Sequence, residues 1–298
     1  MALVLNEEQL MLKESAAGFL TEKATVAHLR ALRDSADERG CSDDVWQEMV
    51  QMGWAGIAIA EDFGGLGYGY TGLGLVLEQV GRNLSASPLQ STVLVSATLI
   101  AELGSGSQKE QWLSPIAAGE KRVSLALQEG RHHAPEQTAA RAVADGEDYL
   151  LSGAKVLVLD ASLADAYIVI ARTAGEAGDS QGLTAFLVAA NSAGIALSRS
   201  SMVDSRNVGT LTLQDVRVPA AQVLGELGGA WQGLSRTLDI ANVGLASELL
   251  GLSTEAFERT VAYLKERKQF GRVIGSFQGL QHRSAELFAA PKLARPIV

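Results

Sequence analysis

A single apolar stripe at helical spacing constrains the fold of this chain more than any other feature of its sequence. It is formed by residues three or four positions apart, namely Leu234, Leu238, Ala241, Leu245, Leu249, Leu252 and Ala256. This spacing places the side chains on one face of an α-helix. A helix from residue 229 to residue 266 would be about 55 Å long at 1.5 Å per residue. A helix of that length is typical of a helix bundle.

Two changes of pattern divide the 298 residues into three predicted domains. Residues 1–120 carry helix signals, beginning with Asn6 and Gln9 as a capping box. Residues 121–227 contain short runs of branched residues, with Asp145-Gly146 as a hairpin turn, and predict a β-domain built from hairpins. Residues 228–298 return to the helical period. A second helix is expected from about Ser276, and Pro291 and Pro296 disfavour its continuation.

Composition excludes several classes of function. The formal net charge of -9 argues against binding to nucleic acid through phosphate neutralisation. The only cysteine, Cys41, excludes an intrachain disulfide and thiolate-rich metal sites within one chain. The N-terminus lacks the basic region of a signal peptide, and the apolar runs are shorter than the ~20 residues of a spanning helix. We therefore expect a soluble, cytoplasmic protein without a membrane span.

Two short motifs favour ordinary structural roles over ligand binding. Residues 67–72 match the pattern G-x-G-x-x-G after a strand-like run at 55–60, as in a dinucleotide fingerprint. No acidic residue follows about 20 positions later, so a glycine-rich turn between helices is favoured. The adjacent His132 and His133 do not share a face of a helix or strand, which favours a loop pair over a metal site.

A cationic cluster has two open interpretations. Arg267, Lys268 and Arg272 lie where the long helix is expected to stop, at Gly271. Guanidinium and ammonium groups in this arrangement can hold a pyrophosphate. Cations at a helix C-terminus also complement the helix dipole without any ligand.

The segment around this cluster resembles a known family. Residues 263–282, YLKERKQFGRVIGSFQGLQH, closely resemble the signature of acyl-CoA dehydrogenases. Three further segments resemble the family in the same order along the chain, at residues 58–67, 103–120 and 215–225. The resemblance thus extends over the whole chain.

The resemblance implies a multidomain α+β protein. Its parts would be an N-terminal α-helical domain, a middle β-barrel-like domain and a C-terminal four-helix bundle, of which this chain would hold an incomplete part. The implied reaction is the FAD-dependent oxidation of an acyl-CoA thioester to the 2-enoyl-CoA, as in lipid metabolism. A carboxylate takes the α-proton while the β-hydride goes to the flavin, and an electron-transferring flavoprotein is the expected acceptor. Because FAD lies across a subunit interface in the family, a homo-oligomer is implied.

The resemblance also assigns cofactor-binding residues. Arg267, Lys268 and Gln269 would meet the FAD pyrophosphate of the neighbouring subunit, and Phe277 and Gln278 would line the same cofactor. Gln128 occupies the position of a family threonine near the flavin ring. In the segment that usually stacks on the flavin, Leu157 and Leu159 stand where the family has a tryptophan and a hydroxyl residue.

No catalytic base is assigned from the sequence. Some members carry the base on the long helix, where the matching residue here is Ala241, and Glu248 lies seven residues further along nearly the same face. Glu248 is expected to be a paired polar residue of the bundle. The alternative function is therefore a catalytically incomplete subunit that lends Arg267 and its neighbours to the flavin of a partner chain in a hetero-oligomer. The apolar stripe would then lack part of its cover, which predicts poor solubility or dependence on a partner.

Overall fold

The computed structural model describes residues 4–295, without the side chain of Ser201. Pro296, which was expected to disfavour continuation of the last helix, lies outside the described residues, as do residues 1–3 of the N-terminal stretch. Contacts divide the chain into two compact units. The helical unit contains the chain up to His28, Thr71–Ser85 and the chain from Asn242 onward, and the sheet unit contains Leu29–Tyr70 and Ala86–Ala241.

Helices occupy most of the first 120 residues, as predicted. The capping box at Asn6 is confirmed, since Asn6 Oδ1 accepts the Gln9 N–H at 2.8 Å and Gln9 Oε1 accepts the Asn6 N–H at 3.0 Å. A π-helical segment, Leu89–Ser96, leads directly into the fifth helix. The helices are α1 (Glu7–Lys23), α2 (Val26–Asp34), α3 (Asp43–Gln51), α4 (Gly69–Asn83), α5 (Ala97–Leu103) and α6 (Gly106–Ala117).

The glycine-rich segment before α4 is a turn, which confirms the structural interpretation of the G-x-G-x-x-G match. Gly67 and Gly69 have φ angles of 59° and 81°, in the left-handed region that glycine adopts without strain. The run at residues 55–60 is not a strand, contrary to the prediction. Its amides bond locally, with the Gly56 N–H donating to Gly53 O and the Ile59 N–H to Gly56 O. These contacts close tight turns instead of a sheet ladder.

The middle of the chain forms one eight-stranded sheet in the order β6-β7-β3-β2-β4-β5-β8, and β1 pairs with β4. Within the described residues this path is open, so the barrel-like domain is not a closed barrel. The predicted Asp145-Gly146 hairpin is confirmed, but β4 runs parallel to β1 and β2, so hairpins do not build the whole sheet. The strands are β1 (Val123–Ala126), β2 (Arg141–Asp145), β3 (Asp148–Leu159), β4 (Ala166–Arg172), β5 (Leu183–Ala189), β6 (Ile195–Ser201), β7 (Asn207–Pro219) and β8 (Val223–Leu224).

Strand β4 is the centre of the sheet unit because both of its faces are buried. Ile168 and Ile170 belong to one apolar core, which includes side chains of α5 and α6. Tyr167 and Val169 belong to a second core with side chains of β3 and β7. Alternation at period two sends neighbouring residues to opposite faces. A strand covered on both sides is therefore apolar throughout, without polar alternation.

The C-terminal part confirms the long helix that was predicted over residues 229–266. Helix α7 (Trp231–Glu266) ends at the predicted residue, and Gly271, which was also expected to mark the stop, lies five residues further on. A short hairpin follows, β9 (Lys268–Gln269) and β10 (Arg272–Val273), and then α8 (Gln278–Ala294). Pro291 does not end α8, contrary to the prediction, and Pro291 O accepts the Arg295 N–H at 3.1 Å. Pro291 lacks an amide hydrogen, but the Arg295 hydrogen bond to its carbonyl closes the last turn of α8 beyond it.

Within the helical unit, α4 and α7 approach closely at two glycines. A Cβ atom at Gly81 would lie 1.9 Å from Glu248 O, and one at Gly251 would lie 1.8 Å from Glu78 O. The buried Glu78 carboxylate pairs with Lys13 at 2.6 Å and with Arg295 at 2.8 Å. Gly81 and Gly251 thus allow α4 and α7 to pack closely, and the Glu78 carboxylate at this crossing lies between Lys13 and Arg295.

The rest of the apolar stripe is less covered. Leu234 is fully buried in the sheet unit, whereas Leu245 and Leu249 are 43% and 51% exposed in the helical unit. Together with α8, this part of α7 lines an apolar groove of about 540 Å³. The stripe therefore predicted the helix correctly, and its outer half is open to solvent in the described residues. None of the described helices combines the length and apolarity needed to cross a membrane.

The guanidinium of Arg172, at the end of β4, is buried among backbone carbonyls instead of carboxylates. The acceptors, 2.9 to 3.5 Å from its three nitrogens, are the carbonyl oxygens of Glu136, Thr138, Ala174, Asp179 and Gln181. These carbonyls belong to two separate loops. Arg172 therefore ties both loops to the central strand.

We expect Arg172→Met to lower the free energy of unfolding by about 3 kcal/mol or more, because several buried carbonyls lose their donor. Denaturant unfolding followed by circular dichroism measures the change. Arg141→Met is the matched control, since Arg141 is exposed and its pair with exposed Glu176 contributes little. Equal losses in the two variants would contradict the role of Arg172.

Asp160, directly after β3, is a second anchor of the sheet unit. Its φ is 54°, its N–H donates to Asn207 O at 2.7 Å, and its Oδ2 accepts the Ser91 hydroxyl at 2.6 Å. Burial raises the pKa of the Asp160 carboxyl to about 6, against the opposing effects of the Ser91 hydrogen bond and of Arg206 and Arg122. The folded chain therefore holds this proton more tightly than the unfolded chain does.

This raised pKa gives stability a defined pH dependence. The contribution of Asp160 is fully present below about pH 4, the unfolded pKa, and is lost as the pH rises through about 6, a total of up to about 3 kcal/mol. We expect Asp160→Asn to remove this loss, so the stability of the variant relative to wild type increases between pH 4 and 7. Chemical unfolding across that range measures it. Asp239→Asn, at an exposed position on α7, should keep the wild-type profile, and a parallel shift in both variants would refute the assignment.

Candidate functional site

The segment after α7 fixes the predicted cofactor-binding residues on a tight hairpin. Lys268 and Gln269 pair with Val273 and Arg272, and the turn consists of Phe270 and Gly271 with φ angles of 53° and 78°. Two consecutive left-handed residues are the requirement of a two-residue hairpin turn. The main chain of Arg267 is held at both sides, since its N–H donates to Tyr263 O and its carbonyl accepts the Ile274 N–H at 2.8 Å. The side chains of Arg267 and Lys268 are exposed.

This segment combines free cations with aromatic rings. In the part of the chain that the structure describes, neither Arg267 nor Lys268 forms an ion pair. The guanidinium carbon of Arg272 lies 4.3 Å from the ring centroid of Phe277, within the range of a cation–π interaction. The rings of Phe270 and Phe277 meet edge to face, with centroids 6.2 Å apart. Phe270 is 89% exposed.

The start of α8 completes the segment. Phe277 precedes the first turn of α8, and its N–H donates to Ile274 O at 3.1 Å. Gln278 is the first helical residue and is exposed. The structure thus gathers five of the six predicted cofactor-binding residues on one hairpin and the following helix start. The sequence analysis missed Phe270, although the Phe-Gly dipeptide between Gln269 and Arg272 was a signal for a hairpin turn.

Gln128, the sixth predicted residue, lies in the sheet unit just after β1 and is half-buried. Its Nε2 donates to Gly130 O at 2.8 Å and to His132 O. Its own carbonyl accepts the Val156 N–H at 2.7 Å. The amide donor that was expected near a flavin ring is therefore used within its own loop.

A buried ion pair supports this loop and was not found from the sequence. Lys155 is fully buried, and its Nζ donates to Glu129 Oε1 at 2.5 Å and to Leu127 O at 3.1 Å. The Glu129 carboxylate also accepts the N–H groups of Ala139 and Ala140 at 2.7 and 3.1 Å. Burial lowers the pKa of Lys155, and the neighbouring Glu129 opposes this shift. The sequence did contain one signal for this buried lysine. Lys155 lies four residues after buried Leu151, and this spacing places both side chains on the same face of a regular strand.

The loop borders a cavity of about 360 Å³. The residues that line it include Leu127, Glu129, Arg131 and His132. His132 and His133 are both exposed, and no group of three or more metal-ligating side chains occurs among the residues from 4 to 295.

The two leucines of the expected flavin-stacking segment lie at an irregular part of β3. The pairing of β3 with β7 shifts register between Lys155 and Val158. Within this bulge Leu157 has a φ of 53° and is 48% exposed. The bulge turns Leu157 away from the core, which leaves an apolar side chain available on the surface of the sheet unit.

Neither candidate position on the long helix provides a catalytic base in an open site. Ala241 has no ionisable group. Glu248 is buried in the helical unit, where its main chain lies against Gly81. The prediction that Glu248 is a bundle residue agrees with this burial.

Comparison with known proteins places these features in one family. Family models for the N-terminal, middle and C-terminal domains of acyl-CoA dehydrogenases match residues 6–120, 127–216 and 228–298. A short-chain specific acyl-CoA dehydrogenase of Clostridium acetobutylicum is 30% identical over 260 residues, which cover 85% of this chain and 68% of the relative. A caffeyl-CoA reductase–Etf complex subunit, CarC, of Acetobacterium woodii is 28% identical over 302 residues, covering 98% of this chain and 78% of the relative.

A solved structure gives the same result. A chain of the ChsE4–ChsE5 complex from Mycobacterium tuberculosis superposes with a TM-score of 0.86 at 27% identity, covering 98% of this chain and 76% of that chain. The chain thus spans about two thirds to four fifths of the length of these proteins. With family models along almost its whole length and curated relatives of the same kind, the chain belongs to the acyl-CoA dehydrogenase family, flavin-dependent oxidoreductases that act on the CH–CH group of acyl-CoA thioesters.

Proposed function

We propose that this chain binds FAD and takes part in the α,β-dehydrogenation of an acyl-CoA thioester to the 2-enoyl-CoA. The observation that carries the proposal is the cationic and aromatic hairpin after α7. Arg267 and Lys268 are exposed and lack ion-pair partners among the described residues, and Phe277 lies within the same segment. The match of this segment to the family's C-terminal domain model supports the proposal.

The donor set of the hairpin fits the diphosphate of FAD. A diphosphate needs several positively charged or amide donors that are not already neutralised, and arginine offers a bidentate fork. Arg267 and Lys268 would supply the charge, and the side-chain amides of Gln269 and Gln278 would supply further hydrogen bonds. The exposed ring of Phe270 and the ring of Phe277 would line the cofactor beside them.

In the sheet unit, the buried Lys155–Glu129 pair fixes the loop of Gln128. We propose that this loop lies near a flavin ring, to which Leu157 would offer an apolar contact. FAD, when bound, supplies the acceptor for the hydride that leaves the β-carbon. The accompanying removal of the α-proton needs a carboxylate in a dry pocket. Ala241 cannot provide it, and we assign no base among the described residues.

The alternative function is a catalytically incomplete subunit that lends the hairpin to the flavin of a partner chain. Three observations favour it as the second candidate. Ala241 occupies a position where some members carry the base, and the groove between α7 and α8 exposes Leu249 and its neighbours. The similar chain from Mycobacterium tuberculosis was solved in a complex of two different proteins. For either function we propose an electron-transferring flavoprotein as the acceptor, in line with the Etf complex of the Acetobacterium relative.

The visible spectrum of the purified chain separates the two functions. We expect the chain alone to show stoichiometric flavin absorbance. Bleaching of this absorbance by a saturated acyl-CoA would show that the chain also supplies the base that removes the α-proton. A colourless protein that gains flavin only with a full-length acyl-CoA dehydrogenase as partner would support the incomplete subunit. A chain that binds no flavin in either case would contradict both.

The hairpin cations are tested directly by substitution. We expect Arg267→Ala to weaken FAD binding by tenfold or more, as the loss of a charge-assisted hydrogen bond to phosphate requires. Flavin fluorescence titration measures the dissociation constant. Arg259→Ala is the control, because Arg259 is exposed on α7 and pairs with Glu255 four residues earlier at 2.7 Å. If flavin binding were unchanged in Arg267→Ala, the assignment of this residue would be wrong.

A further inference from the structure

A cavity of about 340 Å³ lies within the sheet unit, between the turn that follows α2 and the segment that joins β6 to β7. It shares no residue with the hairpin or with the loop of Gln128. Its two walls are formed by residues 32–40 and residues 199–207.

Buried Asn207 holds the two walls together. Its side-chain Nδ2 donates to Arg39 O at 2.6 Å, and its Oδ1 accepts the Ser162 hydroxyl at 2.9 Å. A Cβ atom at Gly40 would lie 3.2 Å from the Cβ of Asn207, so the walls are in close contact. Asn207 is 6% exposed. The cavity therefore has a fixed base, which limits the ordering that a ligand would have to impose.

Three arginines line the cavity. Arg199 donates from Nη2 to the carbonyl of Asp37 at 2.9 Å, and within the described residues it forms no ion pair. Arg206 donates from Nη1 to the side-chain amide of Gln90 at 3.5 Å. Arg33, on the last turn of α2, pairs with its neighbour Asp34. The charge of Arg199 in particular is not neutralised by a carboxylate.

Asp37 is the one acidic residue among those that line the cavity. Asp37 Oδ1 accepts the N–H groups of Arg39 and Gly40 at 2.9 and 2.6 Å. Its carboxylate is thus used to close the turn. Asp34 pairs with Arg33, and the buried carboxylate of Asp160 interacts electrostatically with Arg206, so Arg199 supplies the positive charge of the lining that no carboxylate offsets among the described residues, in a chain whose formal net charge is -9.

The chemistry of the lining also selects the kind of anion. Guanidinium groups bind phosphate oxygens in bidentate geometry, and a dianion matches several cations better than a carboxylate does. The side chains of Leu32, Ala36 and Met202 add an apolar wall. We propose that this cavity binds a small organic phosphate, with the phosphate at Arg199 and Arg206 and an apolar group against Met202 and Leu32.

Isothermal titration of the full chain with three probes tests the proposal. Hexyl phosphate carries both groups, inorganic phosphate carries only the anion, and hexanol carries only the apolar tail. We expect hexyl phosphate to bind more tightly than either of the other probes. Arg199→Gln should weaken hexyl phosphate binding by tenfold or more, because one charge-assisted contact is lost. Met202→Ser should bring the affinity for hexyl phosphate close to that for inorganic phosphate.

Matched controls keep the result interpretable. Arg217→Gln removes an exposed arginine of β7 that pairs with Asp145 and Asp148, and it should leave hexyl phosphate binding unchanged. Arg33→Gln tests the opposite wall and should also weaken binding. Equal binding of hexyl phosphate by wild type and Arg199→Gln, or hexanol binding as tight as hexyl phosphate binding, would overturn the site. Inorganic phosphate binding as tightly as hexyl phosphate would overturn the apolar part of the proposal.

Discussion

The double burial of strand β4 is the constraint on which the rest of the sheet unit depends. Its two faces supply side chains to two different apolar cores, so the strand cannot shift by one residue without exchanging the contents of both. At its end, Arg172 binds carbonyls of two loops and fixes where they leave the sheet. One of these loops reaches the cavity of about 360 Å³ through Gln137 and Thr138, so this cavity wall is positioned by one strand and one buried guanidinium, and the Lys155–Glu129 pair adds a second fixed point nearby.

The hairpin after α7 depends on a different kind of constraint, which is local backbone geometry. Phe270 and Gly271 adopt left-handed conformations, and this two-residue turn sets the antiparallel pairing of Lys268 and Gln269 with the strand that follows. Because few tertiary contacts hold the side chains of Arg267 and Lys268, they are free to meet an anionic ligand. A segment whose backbone is rigid and whose cations are unpaired suits recognition of a diphosphate.

Some features of the sites followed from residue patterns, and others did not. The stripe from Leu234 to Ala256 correctly predicted α7, and the Asn6–Gln9 capping box and the Asp145-Gly146 turn are present in the structure. The end of α7 at residue 266 was predicted correctly, but the hairpin that follows it was missed, because the cations near Gly271 fit a helix C-terminus as well as they fit a hairpin. The run at 55–60 was wrongly predicted to be a strand. Its apolar residues are of types that also occur in strands, but its amide groups donate to carbonyls three residues earlier and form tight turns. Lys155 and Glu129 lie 26 positions apart in the sequence, so no local sequence pattern predicted that they form an ion pair.

The sequence by itself determined the family, the succession of a helical, a β and a second helical part, and the segment that carries Arg267, Lys268, Gln269, Phe277 and Gln278. These properties depend on local periodicity and on a contiguous motif. Only the tertiary structure decided that the sheet is open, that Leu157 turns outward at a bulge, that Gln128 uses its amide within its own loop, and that Arg199 and Arg206 share a cavity with Arg33. The physical reason is that burial, hydrogen-bond partners and local potential arise from residues distant in the chain, which become neighbours only when β4 and its partner strands assemble.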